Sequence, residues 1–326
     1  MQEWLADGAQ ATLASIGESA ALASLLPRLP RAGERLTGPG DDAAVIAAPD
    51  CRYVVTTDSL IQGPDFRIEW STPYDLGWKS VAVNLADVAA MGARPTALVI
   101  ALALPAELPV TALERFADGV AAACEELAPG CGVEGGDLAM SPLVTVAITA
   151  FGDLEGREPV LRSGARPGDV VAVHGALGRA AKGLRALYER GIDAAVDVPE
   201  VADQLRPRPP IAAGPLAALA GATAMLDVSD GLILDARRIA TASGVRIELD
   251  AAAIQATQVG YALGDLRFAL EGGEDHALLA AFPAGVALPE GFRVIGRVTE
   301  GEGVLVDGMP YQATGGWDTF DDVLHL

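Results

Sequence analysis

The chain predicts a mixed α/β (α+β) protein of two domains, and three observations carry that expectation. Its 326 residues, 51 % of them hydrophobic, are enough for two cores of ordinary size. Apolar runs of strand length and segments of helical spacing mix in both halves. Near the middle, the polar, Gly-containing stretch 152–157 interrupts the pattern and divides an N-terminal domain, residues 1–152, from a C-terminal one, residues 153–326.

In chain order, residues 11–26 read as a short helix ended by Pro27 and Pro30, and Gly38-Pro39-Gly40 as a turn. Strand-like runs follow at 43–48 and 53–57. A helix starts after Ser71-Thr72-Pro73, where a hydroxyl can cap and Pro suits the first turn, and stops at Gly92. Residues 96–104 read as a buried strand, 110–128 as a helix and 143–151 as a strand. In the second half, strands are expected at 169–174, 222–228, 245–249, 277–282, 292–298 and 303–306. Helices are expected at 178–190, 211–219 and 232–243, with a Pro-rich crossing at 206–210.

Charge narrows the function classes. The formal net charge of −21 repels phosphate backbones and anionic lipid, so nucleic acid and membrane surfaces are not expected as partners. Nucleotides remain possible if divalent metals stand between carboxylate and phosphate. Residues 1–10 carry Glu3 and Asp7 with no basic start or long apolar run, and the apolar run 97–104 is too short to span a bilayer. Cys51, Cys124 and Cys131 form an odd set without CxxC spacing, and His174, His276 and His325 are dispersed. A cytoplasmic chain without a disulfide framework or zinc site is expected.

The informative residues are carboxylates on short, Gly-flanked segments: Gly40-Asp41-Asp42, Thr56-Thr57-Asp58, Asn84-Leu85-Ala86-Asp87, Gly135-Gly136-Asp137, Asp227-Val228-Ser229-Asp230-Gly231 and Glu271-Gly272-Gly273-Glu274-Asp275. Each alone can be a turn residue or a helix cap. Together they set hard oxygen ligands at element ends, where Gly lets a ligand approach the backbone, and this suits Mg²⁺ and phosphates. Phosphoryl transfer needs such an arrangement, because metals neutralise dense negative charge and hold the reacting groups in line. No GxxxxGK[ST] or HRD…DFG set occurs; Gly175-Ala176-Leu177-Gly178-Arg179 reads as a strand-to-helix turn. Arg162 can hold a phosphate through its planar fork, or be a surface residue before a turn. Lys79 reads as a helix-surface residue paired with Asp75.

The order of these blocks resembles the thiamine-monophosphate kinase family, in the superfamily of aminoimidazole ribonucleotide synthetase, selenophosphate synthetase and the hydrogenase-maturation dehydratase. The matching blocks are GPGDDAAVI, TTDSLIQG, NLADVAAMGARP, GGD, LRSGARPGD, MLDVSDGLILD, LEGGEDHAL and GWDTF, nearly the whole chain. The resemblance implies a two-domain PurM-like fold, with an N-terminal domain that binds ATP and Mg²⁺ and whose sheet forms a homodimer, and a C-terminal α/β domain. It implies Mg²⁺ ligands at Asp42, Thr56, Thr57, Asp58, Asp87, Asp137, Asp227 and Asp230. It implies ATP contacts at Gly136, Asp137, Arg162 and Ser229, and substrate contacts at Asp65, Glu274 and Trp317. The implied reaction is direct transfer from ATP to thiamine monophosphate, with no enzyme nucleophile or base.

Some positions depart from the family pattern. Asp65 stands where the family has a His, adding negative charge beside a phosphate-bearing substrate. Ala86, Leu138 and the His276-Ala277 pair are the others, and they spare the carboxylates. Two alternatives stay open: a degenerate paralogue that binds nucleotide or thiamine phosphates without turnover, and another ATP-dependent member of the superfamily. Against the latter, residues 1–40 hold no Cys and the chain ends His325-Leu326 rather than in Cys.

Overall fold

A computed structural model describes residues 2–5, 10–33, 35–37, 45–195, 197–257, 264–313 and 315–316. The chain forms two compact units, Met1–Val88 with Arg94–Glu155, and Ala89–Ala93 with Gly156–Leu326. Among the described residues no helix is long and apolar enough to cross a membrane.

The first unit opens with α1 (Leu13–Ile16) and α2 (Glu18–Leu25), then β1 (Arg35–Thr37) and β2 (Val45–Ile46), which pair antiparallel. The single helix expected over 11–26 is broken at Gly17, whose φ of 75° is left-handed. There follow β3 (Val54–Ile61), α3 (Pro73–Ala90), β4 (Arg94–Leu104), α4 (Val110–Leu127), β5 (Gly132–Met140) and β6 (Thr145–Asp153). The sheet order is β3-β6-β4-β5, with β3, β6 and β4 antiparallel in turn and β5 parallel to β4.

Capping at α3 is reciprocal. The Asp75 N–H donates to Thr72 Oγ1 at 3.2 Å, and the Thr72 N–H donates to Asp75 Oδ2 at 3.0 Å. Lys79, expected on the helix surface, is instead buried. α3 and α4 cross through two glycines. A Cβ on Gly77 would lie 2.1 Å from Phe116 O, and one on Gly119 would lie 2.1 Å from Tyr74 O, so the backbones meet where no side chain fits. The helices cover one face of the sheet: Leu76, Val81 and Leu85 of α3 and Leu113, Phe116 and Val120 of α4 are buried, as are Leu98, Ile100, Val146 and Ile148 beneath them. The other face is open, with Val55, Thr57, Ser59 and Ile61 of β3 exposed.

β3 outruns its expected end, continuing from Thr57 to Ile61, because an exposed edge strand needs no apolar alternation. β5, a strand not expected from the sequence, carries Gly135-Gly136-Asp137 and runs to Met140. β4 runs so close to it that a Cβ on Gly136 would lie 2.0 Å from Ile100 O. A bulge at Leu98/Val99 leaves Glu134 as the extra residue.

The second unit contains β7 (Val170–His174), α5 (Arg179–Ala195), α6 (Glu200–Leu205), α7 (Ala213–Leu219), β8 (Ala224–Val228), α8 (Leu232–Ser243), β9 (Arg246–Leu249), α9 (Ala251–Thr257), α10 (Arg267–Glu271), β10 (Ala277–Phe282), β11 (Arg293–Thr299), β12 (Gly303–Val306) and β13 (Met309–Pro310). Its seven-stranded sheet runs β13-β12-β9-β11-β7-β10-β8. β10 is buried along its whole length, and its alternate residues serve two cores. Ala277, Leu279 and Ala281 pack with Ile233, Ala236 and Ile239 of α8 on one face. Leu278, Ala280 and Phe282 pack with Ala213 and Ala217 of α7 on the other.

Candidate active site

The first unit gathers part of the expected ligand set around β3. Thr56 Oγ1 donates to Asp87 Oδ2 at 2.9 Å, joining the strand to α3. Asp58 lies two residues along, and its pairing partner Ile148 is buried under the helices, so Thr56 and Asp58 share that face. Asp58 is exposed and accepts the N–H of Ser59 at 2.8 Å. Thr57 belongs to the open face; its hydroxyl donates to the Ile148 carbonyl at 2.9 Å and accepts from Thr149 at 3.3 Å.

Asp137 is not brought to them. Its sheet-level neighbours are Ala101, then Ala147, then Ser59, so it stands across the full width of the sheet from Asp58. Three strand spacings make that about 14 Å. Gly136 and Asp137 are both exposed on edge strand β5. Asp42 and Trp317 lie outside the described residues. Among the described residues, no three His, Cys, Asp or Glu side chains gather into a group able to hold a metal ion. Asp65 has a structural task at the end of β3, where its Oδ2 accepts the Ile61 N–H at 2.7 Å and ties the turn.

The second unit knits two expected segments together. Asp227, at the end of β8, is buried, and its Oδ2 lies 2.9 Å from His276 Nδ1. The Glu274 N–H donates to Ser229 O at 2.8 Å, and the His276 N–H donates to Val228 O at 3.1 Å. Glu274 and His276 hold left-handed φ values of 67° and 53°. Strain of this kind persists where the surroundings over-determine the backbone, and it concentrates at functional sites. Between them Asp275 turns inward and accepts the N–H groups of Gly178 at 2.6 Å and Ala180 at 2.9 Å, at the start of α5. Burial pushes the Asp275 carboxyl up to about 7, and these two N–H groups pull against it.

Asp230 forms an ion pair with Arg238 at 2.6 Å, beside the fully buried Asp235. Asp235 accepts the N–H groups of Asp230 at 3.1 Å and Gly231 at 3.2 Å. Burial raises its pKa to about 6, with Arg238 opposing. Arg162 is exposed, and its carbonyl accepts from Ser243 Oγ at 2.8 Å. Sequence reasoning missed Asp235, Arg238 and Gln204. Asp235 sat in view within the GLILD run; Gln204 lies on the six-residue α6, too short to leave a periodic signal.

A family model described as AIR synthase related protein, N-terminal domain, matches residues 40–154, and the corresponding C-terminal domain model matches residues 166–307. A thiamine-monophosphate kinase of Mycobacterium tuberculosis is 47 % identical over 320 residues, covering 95 % of this chain and 94 % of its own. The chain belongs to the thiamine-monophosphate kinase family. The structure of a thiamine-monophosphate kinase from Stenotrophomonas maltophilia aligns with a TM-score of 0.74 at 34 % identity, covering 90 % of this chain and 96 % of that one. AaThiL complexed with AMPPCP and TMP aligns with a TM-score of 0.73 at 35 % identity, covering 85 % and 90 %. The two-domain fold expected from the resemblance is therefore the fold observed, and the thiamine-monophosphate kinase family shares it over almost the full chain.

The donors around β3, namely the Thr56 hydroxyl and the Asp58 and Asp87 carboxylates, are all hard oxygens, and Asp58 is open to solvent. This donor chemistry fits Mg²⁺, which keeps waters and takes only a few protein carboxylates.

Proposed function

We propose that the chain transfers the γ-phosphoryl group of ATP to thiamine monophosphate, giving thiamine diphosphate and ADP. The observation that carries this reading is the 47 % identity to a thiamine-monophosphate kinase over nearly all of both chains. The local arrangement of hard oxygens around β3 supports direct transfer.

In this reading Asp58, Asp87 and Thr56, with Thr57, Asp42 and Asp137, hold Mg²⁺ for the first unit, and Asp227 and Asp230 do so for the second. Bound there, Mg²⁺ neutralises the phosphate charge that builds toward the transition state. Thr56 holds Asp87 in place through its hydroxyl. Gly136, Asp137, Arg162 and Ser229 meet the nucleotide, Arg162 through a fork suited to phosphate oxygens. Glu274 offers a carboxylate to the cationic thiazolium, Trp317 a ring to stack on it, and Asp65 borders the substrate. The accepting atom is an anionic phosphate oxygen already, so no general base is needed; positioning and electrostatics carry the rate.

A homodimer is part of this reading. Among the described residues the sheet of the first unit has an open face and edge strands β3 and β5, each paired on one side only, and Val55 and Ile61 stand exposed on that face. Since Asp58 and Asp137 lie at opposite edges of one sheet, a second copy whose β5 edge lies beside β3 brings its Asp137 to that edge.

The test is incubation with ATP, Mg²⁺ and thiamine monophosphate, read by ³¹P NMR. The kinase forms ADP and thiamine diphosphate in equal amounts. A binding paralogue forms neither, and another superfamily activity releases ADP without thiamine diphosphate.

A further inference from the structure

Gln204 is a charge-neutral side chain, 5 % exposed, on a helix that sequence reasoning passed over. Its helix, α6, is fastened to α5 by Arg179–Asp203 at 2.5 Å and Lys182–Glu200 at 2.9 Å. From there Gln204 Nε2 donates to Glu274 Oε2 at 2.5 Å, a short charge-assisted bond. Its other amide atom, Oε1, is buried with no partner among the described residues. A buried acceptor left unmatched lowers stability, so a residue serving packing alone would be better replaced by an apolar one. Glu274 is meanwhile held at left-handed φ, with its N–H on Ser229 O. The backbone thus fixes where Glu274 starts, and Gln204 fixes where its carboxylate ends.

We propose that Gln204 is a positioning residue for the cationic end of the acceptor substrate, aiming the Glu274 carboxylate at the thiazolium while leaving it charged. The proposal rests on the reading of Glu274 as a substrate contact. A neutral amide suits this task. A Lys or Arg at this place would neutralise the carboxylate and compete with the substrate cation, and an acid would repel the carboxylate.

The experiment compares the unaltered chain with Gln204→Met, Glu274→Gln and the double variant. Readouts are kcat, KM for thiamine monophosphate, KM for ATP and Tm. A second acceptor, carrying a neutral thiophene in place of the thiazolium, separates charge from shape. Gln204→Met keeps the volume and removes both the donor and the unmatched acceptor. It is expected to raise the KM for thiamine monophosphate about tenfold, the scale of one hydrogen bond to a charged group. Tm should hold or rise, KM for ATP should hold, and KM for the neutral acceptor should hold. The double variant should be no worse than Glu274→Gln alone, since the two side chains act as one unit. Should Gln204→Met not fold, Gln204→Leu answers the same question.

An unchanged KM for thiamine monophosphate in Gln204→Met, where Glu274→Gln raises it, overturns the proposal and leaves the kinase reading standing. Equal losses for charged and neutral acceptors, together with a lower Tm, also overturn it, since that is a packing role. If Glu274→Gln has no effect on the acceptor, the proposal and the role of Glu274 fall together. If the unaltered chain forms no thiamine diphosphate, the kinase reading itself falls.

Discussion

Asp58 and Asp137 are exposed carboxylates on edge strands, and neither supports a core or caps a helix. Their replacement therefore separates function from folding. Asp58→Asn or Asp137→Asn should lower turnover by at least about a hundredfold, because in the proposed reading each removes a ligand of the Mg²⁺ charge that stabilises the transition state. Tm should stay within a few degrees, as for other exposed substitutions. Steady-state rates at limiting Mg²⁺ and a melting curve decide the matter; near-normal turnover in both would remove these residues from the site. Asp65 is different in kind. Its bond to the Ile61 N–H gives it a turn to hold whether or not it meets substrate, so a loss of activity at Asp65 has two readings. The type and position of these carboxylates were legible in the sequence. Their partners were not, because Asp87 meets Thr56 across 31 positions and Asp227 meets His276 across 49.

At the scale of elements, the connection into β10 and the start of α5 are joined by one buried carboxylate, Asp275. Its folded pKa of about 7 stands above the ordinary value of about 3.9. Between those values the folded chain holds the proton more tightly than the unfolded one, so stability falls as pH rises through the window, by up to about 1.4 kcal/mol per pH unit. Asp275→Asn carries no such proton and should flatten that slope. Urea midpoints from pH 4.5 to 8 measure it, and an unchanged slope would mean that Asp275 is not the group responsible. The long elements were readable from their periodicity: α8 begins and ends where it was expected, and α3 stops before Gly92 at a left-handed φ of 73°. The short α6, α9 and α10 were not, since five to seven residues fit no hydrophobic period.

For the molecule as a whole, the decisive question is whether one copy suffices. The sheet of the first unit separates Asp58 from Asp137 by its full width, so in the proposed homodimer a site that uses both is completed by the second copy. Mixing the inactive Asp58→Asn and Asp137→Asn chains under exchange should then restore activity, since one site of each mixed dimer has both carboxylates. Random pairing in a symmetric dimer gives about a quarter of the unaltered rate. No recovery, with mixed dimers verified by mass spectrometry, would mean that each copy works alone. Light scattering on the unaltered chain should report a dimer, and a monomer would sink the arrangement at once.

By itself the sequence determined the fold class, the longer elements, the family and the residue types that carry the chemistry, because side-chain type, periodicity and ordered motifs are local properties of a chain. Only the tertiary structure decided that Asp58 and Asp137 stand on opposite edges, that Lys79 is buried, and that Gln204 reaches Glu274. Strand order, burial and cross-chain hydrogen bonds arise when residues far apart in sequence compete for the same space, and no local pattern records the winner.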